Sequence, residues 1–219
     1  MSTGDYIATS RQGYIQQIVS GWVRNGYYFY VQGKLRENKD SEQFDHKVIT
    51  RYPVVMKAGR RFSRRQRGVI NVAYLRYKKH WIMLATRGKH EETKEGFLDW
   101  RATEAANIRN CMHGQPIKVF GYSISYVRGD YVLKRIGNGA TARDYQYRVR
   151  VQISREGMVV LKAFLLGNAT SHSEEWLRDQ FWNVPYEPYA PVRKQLLNLL
   201  RQVNAVRSAA GLSKLPSTV

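Results

Sequence analysis

Hydrophobic and polar residues follow two periods along this chain of 219 residues. Where apolar residues recur every three or four positions, the spacing predicts amphipathic helices, and alternating or continuous apolar runs rich in aromatic and branched residues predict strands. The clearest alternation places Tyr145, Tyr147, Val149, Val151 and Ile153 on one face of a strand. The predicted helices cover 15–23, 44–49, 91–110, 158–166, 173–182 and the segment from 191 onward, and the predicted strands cover 27–31, 69–77, 81–86, 117–126 and 145–153.

The order of these elements indicates the fold class. After the N-terminal helix, the chain runs strand, helix, strand, strand, helix, strand, which is the split βαβ or ferredoxin-like arrangement. We therefore predict an α+β protein with an antiparallel sheet covered by helices. Residues 1–155 would form an α+β nucleic-acid-binding core, and residues 156–219 a helical C-terminal extension that packs on it to give one compact unit.

The distribution of charged residues predicts the ligand of the core. The segment 47–89 contains 13 Lys or Arg and no Asp or Glu, within a chain of net charge +19, and its densest stretch is 59–68. Such a field attracts a polyanion, and a nucleic-acid backbone is the commonest one. Further basic residues spread over later elements favour a long polyanion over a short targeting signal. The predicted binding residues are Arg60, Arg61, Arg64, Arg65, Arg67, Arg76, Lys78, Lys79, Arg87, Lys89, Arg148, Arg150, Arg193 and Lys194.

Several classes of protein are disfavoured by residue types and spacing. Cys111 is the only cysteine, so an internal disulfide and a cysteine-based zinc site are excluded. The five histidines are scattered, and the P-loop pattern of nucleotide hydrolases is absent. No apolar run approaches the roughly 20 residues needed to span a bilayer, and the N-terminus lacks a secretory pattern. We expect a soluble cytoplasmic protein without a membrane partner.

One acidic cluster contrasts with the overall positive charge of the chain and suggests an alternative function. Glu91, Glu92, Glu95, Asp99 and Glu104 lie within 14 residues, directly after His90. On a helix, three of them would share one face, as the carboxylates of a magnesium site do. This predicts a metal-dependent endonuclease with Glu95 and Asp99 as Mg²⁺ ligands and Glu92 or His90 assisting. Acidic residues are equally expected at a helix start or beside arginines.

The preferred hypothesis is a protein that grips the backbone of structured RNA or duplex DNA, as a component of a mobile-element, plasmid or ribonucleoprotein system. Binding would need no cofactor, whereas cleavage would need Mg²⁺. We expect two or three of the tyrosines on the basic strands to stack on unpaired bases. A third hypothesis is a ribosome-associated or packaging protein. The sequence leaves open DNA against RNA, strandedness, and whether the chain forms an oligomer or joins other protein subunits.

Overall fold

The computed structural model of this protein describes residues 6–91, 96–129, 131–132 and 143–216. The chain divides into two compact units. The first consists of Met1–Ile117 and Ser125–Val149, and the second of Lys118–Ile124 and Arg150–Val219. Within the described ranges, no helix has both the length and the apolar character that crossing a membrane requires.

The first unit is built around a four-stranded antiparallel sheet. Across the sheet the strands are, in order, Val72–Tyr77, His80–Ala85, Phe29–Lys34 and Arg109–Asn110. The pairing of Phe29 with Ala85 and of Tyr77 with His80 fixes the register of the three long strands. The described elements of this region are α1 (Arg11–Gln16), a π-helical turn (Gln17–Trp22), a 3-10 turn (Val23–Asn25), β1 (Phe29–Lys34), α2 (Ser41–Arg51), α3 (Ala58–Gln66), β2 (Val72–Tyr77), β3 (His80–Ala85), α4 (Trp100–Thr103) and β4 (Arg109–Asn110).

This architecture confirms the predicted α+β class. Strands β1 and β2 are joined through helices and flank β3, and β4 lies on the other side of β1, which is the split βαβ order. The core beneath the sheet contains Val31, Val48, Val72, Met83 and Trp100, so α2 and the sheet share one apolar layer. The predicted strands over 69–77 and 81–86 are confirmed as β2 and β3, which form a hairpin with a two-residue turn.

Two local predictions in this region are wrong. The predicted helix over 91–110 contains, among its described residues, only the four-residue α4, and its last two residues form β4. The predicted fourth strand over 117–126 is divided by a turn at 120–121 into two strands, and both belong to a second sheet. Strand β4 is polar and pairs with Phe29 and Tyr30, so its formation depends on the neighbouring strand rather than on its own composition.

The second sheet has three strands. They are β5 (Ile117–Val119), β6 (Tyr122–Arg128) and β9 (Tyr147–Ile153), in that order across the sheet. A separate pair joins β7 (Tyr131–Val132) to β8 (Arg143–Asp144). The predicted strand over 145–153 is confirmed for most of its length.

The second unit carries the three predicted C-terminal helices, α5 (Arg155–Gly167), α6 (Glu174–Trp182) and α7 (Ala190–Ala209). Leu165, Phe181, Leu199 and Val203 are buried where the three helices pack together. Gln195 of α7 holds the end of β9, because its side-chain amide both donates to and accepts from the backbone of Ile153 (3.1 and 2.8 Å).

Candidate nucleic-acid interface

The arginine-rich segment forms helix α3, although it has no apolar stripe to predict a helix. Arg61 turns inward and donates to the carbonyl oxygens of Val54 (2.7 Å) and Met56 (3.1 Å) and to the hydroxyl of Tyr27 (3.1 Å). Its guanidinium also lies 4.9 Å from the centre of the Trp22 ring. Arg61 therefore attaches α3 to the first unit through a stacked and hydrogen-bonded guanidinium, as arginine geometry allows.

Arg64 is the second inward anchor of α3. Its side chain is 3% exposed, ion-pairs with Glu91 at 2.7 Å, and donates to the Ile70 carbonyl at 3.0 Å. The same Glu91 carboxylate pairs with Arg67 at 2.6 Å, although the Arg67 side chain remains 59% exposed. One carboxylate thus serves two arginines, and this end of α3 keeps a net positive charge.

Helix α3 and its C-cap also expose basic side chains. Arg60, Arg65 and Arg67 are exposed, together with the ring of Phe62, which is 63% exposed. At 3.6 residues per turn, Arg60 and Arg67 lie on one flank of the helix and Phe62 and Arg65 on the other. Lys89 adjoins the C-terminal end of the helix, since its backbone N–H donates to the Gly68 carbonyl and its carbonyl accepts from Ile70 N–H, both at 2.9 Å. We call Arg60, Phe62, Arg65, Arg67 and Lys89 the α3 face.

Arg76, predicted to bind phosphate, has a structural position instead. It is buried on β2 and makes a bidentate contact with Asp45, with Nε and Nη2 at 2.8 and 2.7 Å from the carboxylate oxygens. Tyr74 donates its hydroxyl to the same carboxylate at 2.6 Å. Arg76 also donates to the Lys78 carbonyl at 2.8 Å and so stabilises the hairpin turn. Arg76 is therefore buried, as is Arg64, whereas Arg61 is half-buried.

The remaining predicted basic residues lie at several places on the two units. Lys78, Arg87 and Arg148 are exposed in the first unit, and Lys79 donates to the Lys39 carbonyl at 2.6 Å. In the second unit Arg150 is half-buried. Arg193 and Lys194 are exposed on α7, where with Arg201 they line a shallow cavity of about 340 Å³.

The aromatic candidates divide into buried and exposed rings. Tyr74 and Tyr122 are buried, whereas Tyr145 and Tyr147 are each about half exposed. Tyr147 stacks on Tyr126 at 5.7 Å between ring centres, and Tyr126 stacks on Tyr28 at 4.5 Å. The sequence reasoning missed Phe62, for which an aromatic residue inside an arginine run was the available signal. It also missed Arg128, whose guanidinium lies 4.6 Å from the Tyr145 ring.

The acidic cluster is only partly described. Both carboxylate oxygens of Glu91 accept from arginines, and Asp99 accepts from the backbone N–H of Arg101 at 2.9 Å as the N-cap of α4. His90 is half-buried, and Glu92 and Glu95 lie outside the described residues. Among the residues that are described, no three His, Cys, Asp or Glu side chains are grouped as metal ligands. The magnesium site stays a prediction.

Cys111 is buried, and its burial raises the pKa of the thiol to about 12. A thiol is a nucleophile only as the thiolate, so this residue has the character of a core side chain.

Comparisons of the chain with protein-family models, with curated proteins and with solved structures found no match.

Proposed function

We propose that this protein binds the phosphate backbone of a nucleic acid, either structured RNA or duplex DNA, with the α3 face at the centre of the contact. One observation carries the proposal. Of the 13 basic residues in the segment 47–89, nine are exposed, and that segment contains no acidic residue. The nine exposed residues are Lys47, Arg51, Lys57, Arg60, Arg65, Arg67, Lys78, Arg87 and Lys89.

The way α3 is attached supports this proposal. Arg61 and Arg64 hold the helix through backbone carbonyls and Glu91, so the outward arginines extend from a fixed backbone. A fixed scaffold lowers the ordering cost of binding, and arginine forks match phosphate oxygens in a bidentate manner. A basic face of this kind recognises the charge and spacing of phosphates rather than base sequence.

Salt dependence tests the proposal directly. Fluorescence anisotropy would measure the Kd of the protein for a labelled 20-base-pair DNA duplex and for an RNA hairpin between 50 and 200 mM KCl. For four to six phosphate contacts, the affinity for duplex DNA should fall roughly 100- to 1000-fold over that range. An affinity that does not change with salt contradicts backbone recognition.

A charge-matched pair of variants locates the contact. The triple change Arg60→Gln, Arg65→Gln and Arg67→Gln lowers the net charge from +19 to +16. It should lower the slope of log K against log salt by up to about 2.7, since each lost contact on DNA contributes about 0.9. The control changes three exposed basic residues of the second unit and lowers the net charge equally: Arg155→Gln, Lys162→Gln and Arg178→Gln. Equal losses in both variants would contradict a contact centred on α3.

A further inference from the structure

A cavity of about 630 Å³ lies beside the α3 face, entirely within the first unit. Its walls come from the N-terminal segment before β1, α2, the connection between α2 and α3, α3 itself and β2. Among the residues that the structure describes, five aromatic residues line it and no Asp, Glu or Lys does. A volume of this size is typical of a small-molecule or single-nucleotide site. The aromatic lining residues are Tyr6, Trp22, Tyr27, Phe62 and Tyr74.

The deep wall of the cavity is held in place by hydrogen bonds and ring contacts. Trp22 and Tyr27 meet edge to face with ring centres 5.1 Å apart, and the Arg61 guanidinium lies over Trp22 while donating to the Tyr27 hydroxyl. The same guanidinium fixes the carbonyls of Val54 and Met56 on the adjoining connection. These contacts preorganise the wall, so filling the cavity costs little ordering of this wall.

The outer part of the cavity is shared with the proposed phosphate surface. Phe62 and Arg65 both line the cavity and both belong to the α3 face. Val55, another lining residue, is 50% exposed. An apolar recess beside exposed arginines suits a ligand that carries a flat apolar ring and a phosphate a few ångströms apart. A nucleotide within a strand has this combination, and its base can stack on an aromatic ring whatever its sequence.

We infer that this cavity accepts one unpaired nucleobase from the nucleic acid whose backbone lies on the α3 face. The inference rests on the proposed function and adds a structural preference to it: a helix with a bulged or extruded nucleotide is bound more tightly than a perfect helix. Arg65 would hold the phosphate next to the inserted base, while the rings of Phe62 and Trp22 would contact the base.

Three oligonucleotides of each nucleic acid test the inference: a perfect 20-base-pair helix, the same helix with one unpaired adenine, and the same helix with an abasic site at the bulge. Anisotropy competition would rank their affinities at one salt concentration. The adenine bulge should bind roughly 5- to 100-fold more tightly than the abasic bulge, as expected for one stacked base. The abasic control separates the base itself from the flexibility that any bulge introduces.

A filling substitution assigns this preference to the cavity. Gly21 lines the cavity, and a Cβ placed on it meets no atom within 4 Å, so Gly21→Leu adds a side chain at an open part of the wall. Gly167→Leu in α5 is the matched control, because Gly167 also has open space around the added Cβ. Gly21→Leu should remove the preference for the adenine bulge and leave perfect-helix affinity unchanged, whereas Gly167→Leu should change neither. Phe62→Ala provides a second test and should weaken the same preference.

The outcomes separate this inference from the proposed function. Tight, salt-dependent binding with equal affinity for adenine and abasic bulges overturns the base pocket and leaves backbone recognition standing. A bulge preference that Gly21→Leu leaves intact also overturns it. Absence of binding to every oligonucleotide refutes both proposals. The dye ANS tests for an apolar ligand as the alternative occupant of the cavity. The inference is overturned if ANS binds to the wild type, does not bind to Gly21→Leu, and is displaced by none of the oligonucleotides.

Discussion

Removing the carboxylate of Asp45 should destabilise the first unit strongly, because Asp45 neutralises a buried arginine. The side chains of Arg76 and Asp45 are 10% and 3% exposed, and Tyr74 donates to the same carboxylate. The hydrogen bonds to Asp45 raise the pKa of the Arg76 guanidinium, so the arginine stays charged. In Asp45→Ala this cation would remain buried, and among the described residues the Lys78 carbonyl would be its remaining acceptor.

The expected magnitude follows from that geometry. Breaking a buried ion pair by removing one partner costs about 3–5 kcal/mol, which exceeds the value of the pair itself because one charge is left without compensation. If the free energy of unfolding falls by about 2 kcal/mol per molar urea, this loss lowers the urea concentration at the unfolding midpoint by roughly 1.5–2.5 M. Glu42→Ala is the control, since it removes an exposed carboxylate from the same helix and should change stability by less than about 0.5 kcal/mol.

Urea unfolding followed by circular dichroism measures both variants. The double variant Asp45→Leu with Arg76→Met removes both charges and should recover most of the loss, as apolar replacements of buried pairs do. A loss below about 1 kcal/mol in Asp45→Ala would refute the burial argument. A double variant no more stable than Asp45→Ala would show that the buried cation is not the source of the cost.

Three further predictions concern buried groups and backbone geometry. Because burial raises the pKa of Cys111 to about 12, iodoacetamide at pH 8 should label this thiol only after urea unfolding; rapid labelling of folded protein contradicts its burial. Burial and a hydrogen bond to Glu104 also raise the pKa of Tyr52 to about 12. In the unfolded chain the Cys111 thiol and the Tyr52 hydroxyl lose their protons at about pH 8.5 and 10, whereas in the folded protein they keep them to higher pH. The urea-derived free energy of unfolding should therefore be highest below about pH 8.5 and fall towards pH 12. A Cβ on Gly88, at φ +144°, would lie 2.5 Å from Ile70 N, so Gly88→Ala should cost more than about 2 kcal/mol in urea unfolding; Gly59→Ala, where the space is open, should cost nothing.

The elements that could be predicted from the sequence are those whose signal is local. The hairpin of β2 and β3 follows from two apolar runs joined by a short basic link, and α7 follows from its apolar stripe. That stripe consists of Val192, Leu196, Leu199, Val203 and Val206, but only its first four residues are buried, since Val206 is 39% exposed. Burial at the end of a helix depends on which neighbours reach it, and the period of the sequence contains no information about that.

Helix α3 and strand β4 show why the rest could not be predicted. The inward positions of α3 are arginines, which a hydrophobic period cannot identify as buried. They are buried because backbone carbonyls and Glu91 meet them, and those partners are provided by other elements. Strand β4 is polar and short, and it exists because the edge of β1 offers hydrogen-bonding groups for it to pair with.

By itself the sequence determined the α+β class, the main local elements and the size and location of the positive field. Charge and hydrophobic period are properties of neighbouring residues, so they can be read along the chain. Only the tertiary structure decided which arginines face outward: Arg64 and Arg76 meet carboxylates 27 and 31 residues away. A guanidinium is buried only where such partners offset the free-energy cost of its desolvation. Folding therefore divides one basic segment into two groups: buried anchors that hold α3 and the sheet, and exposed residues that are proposed to bind phosphate.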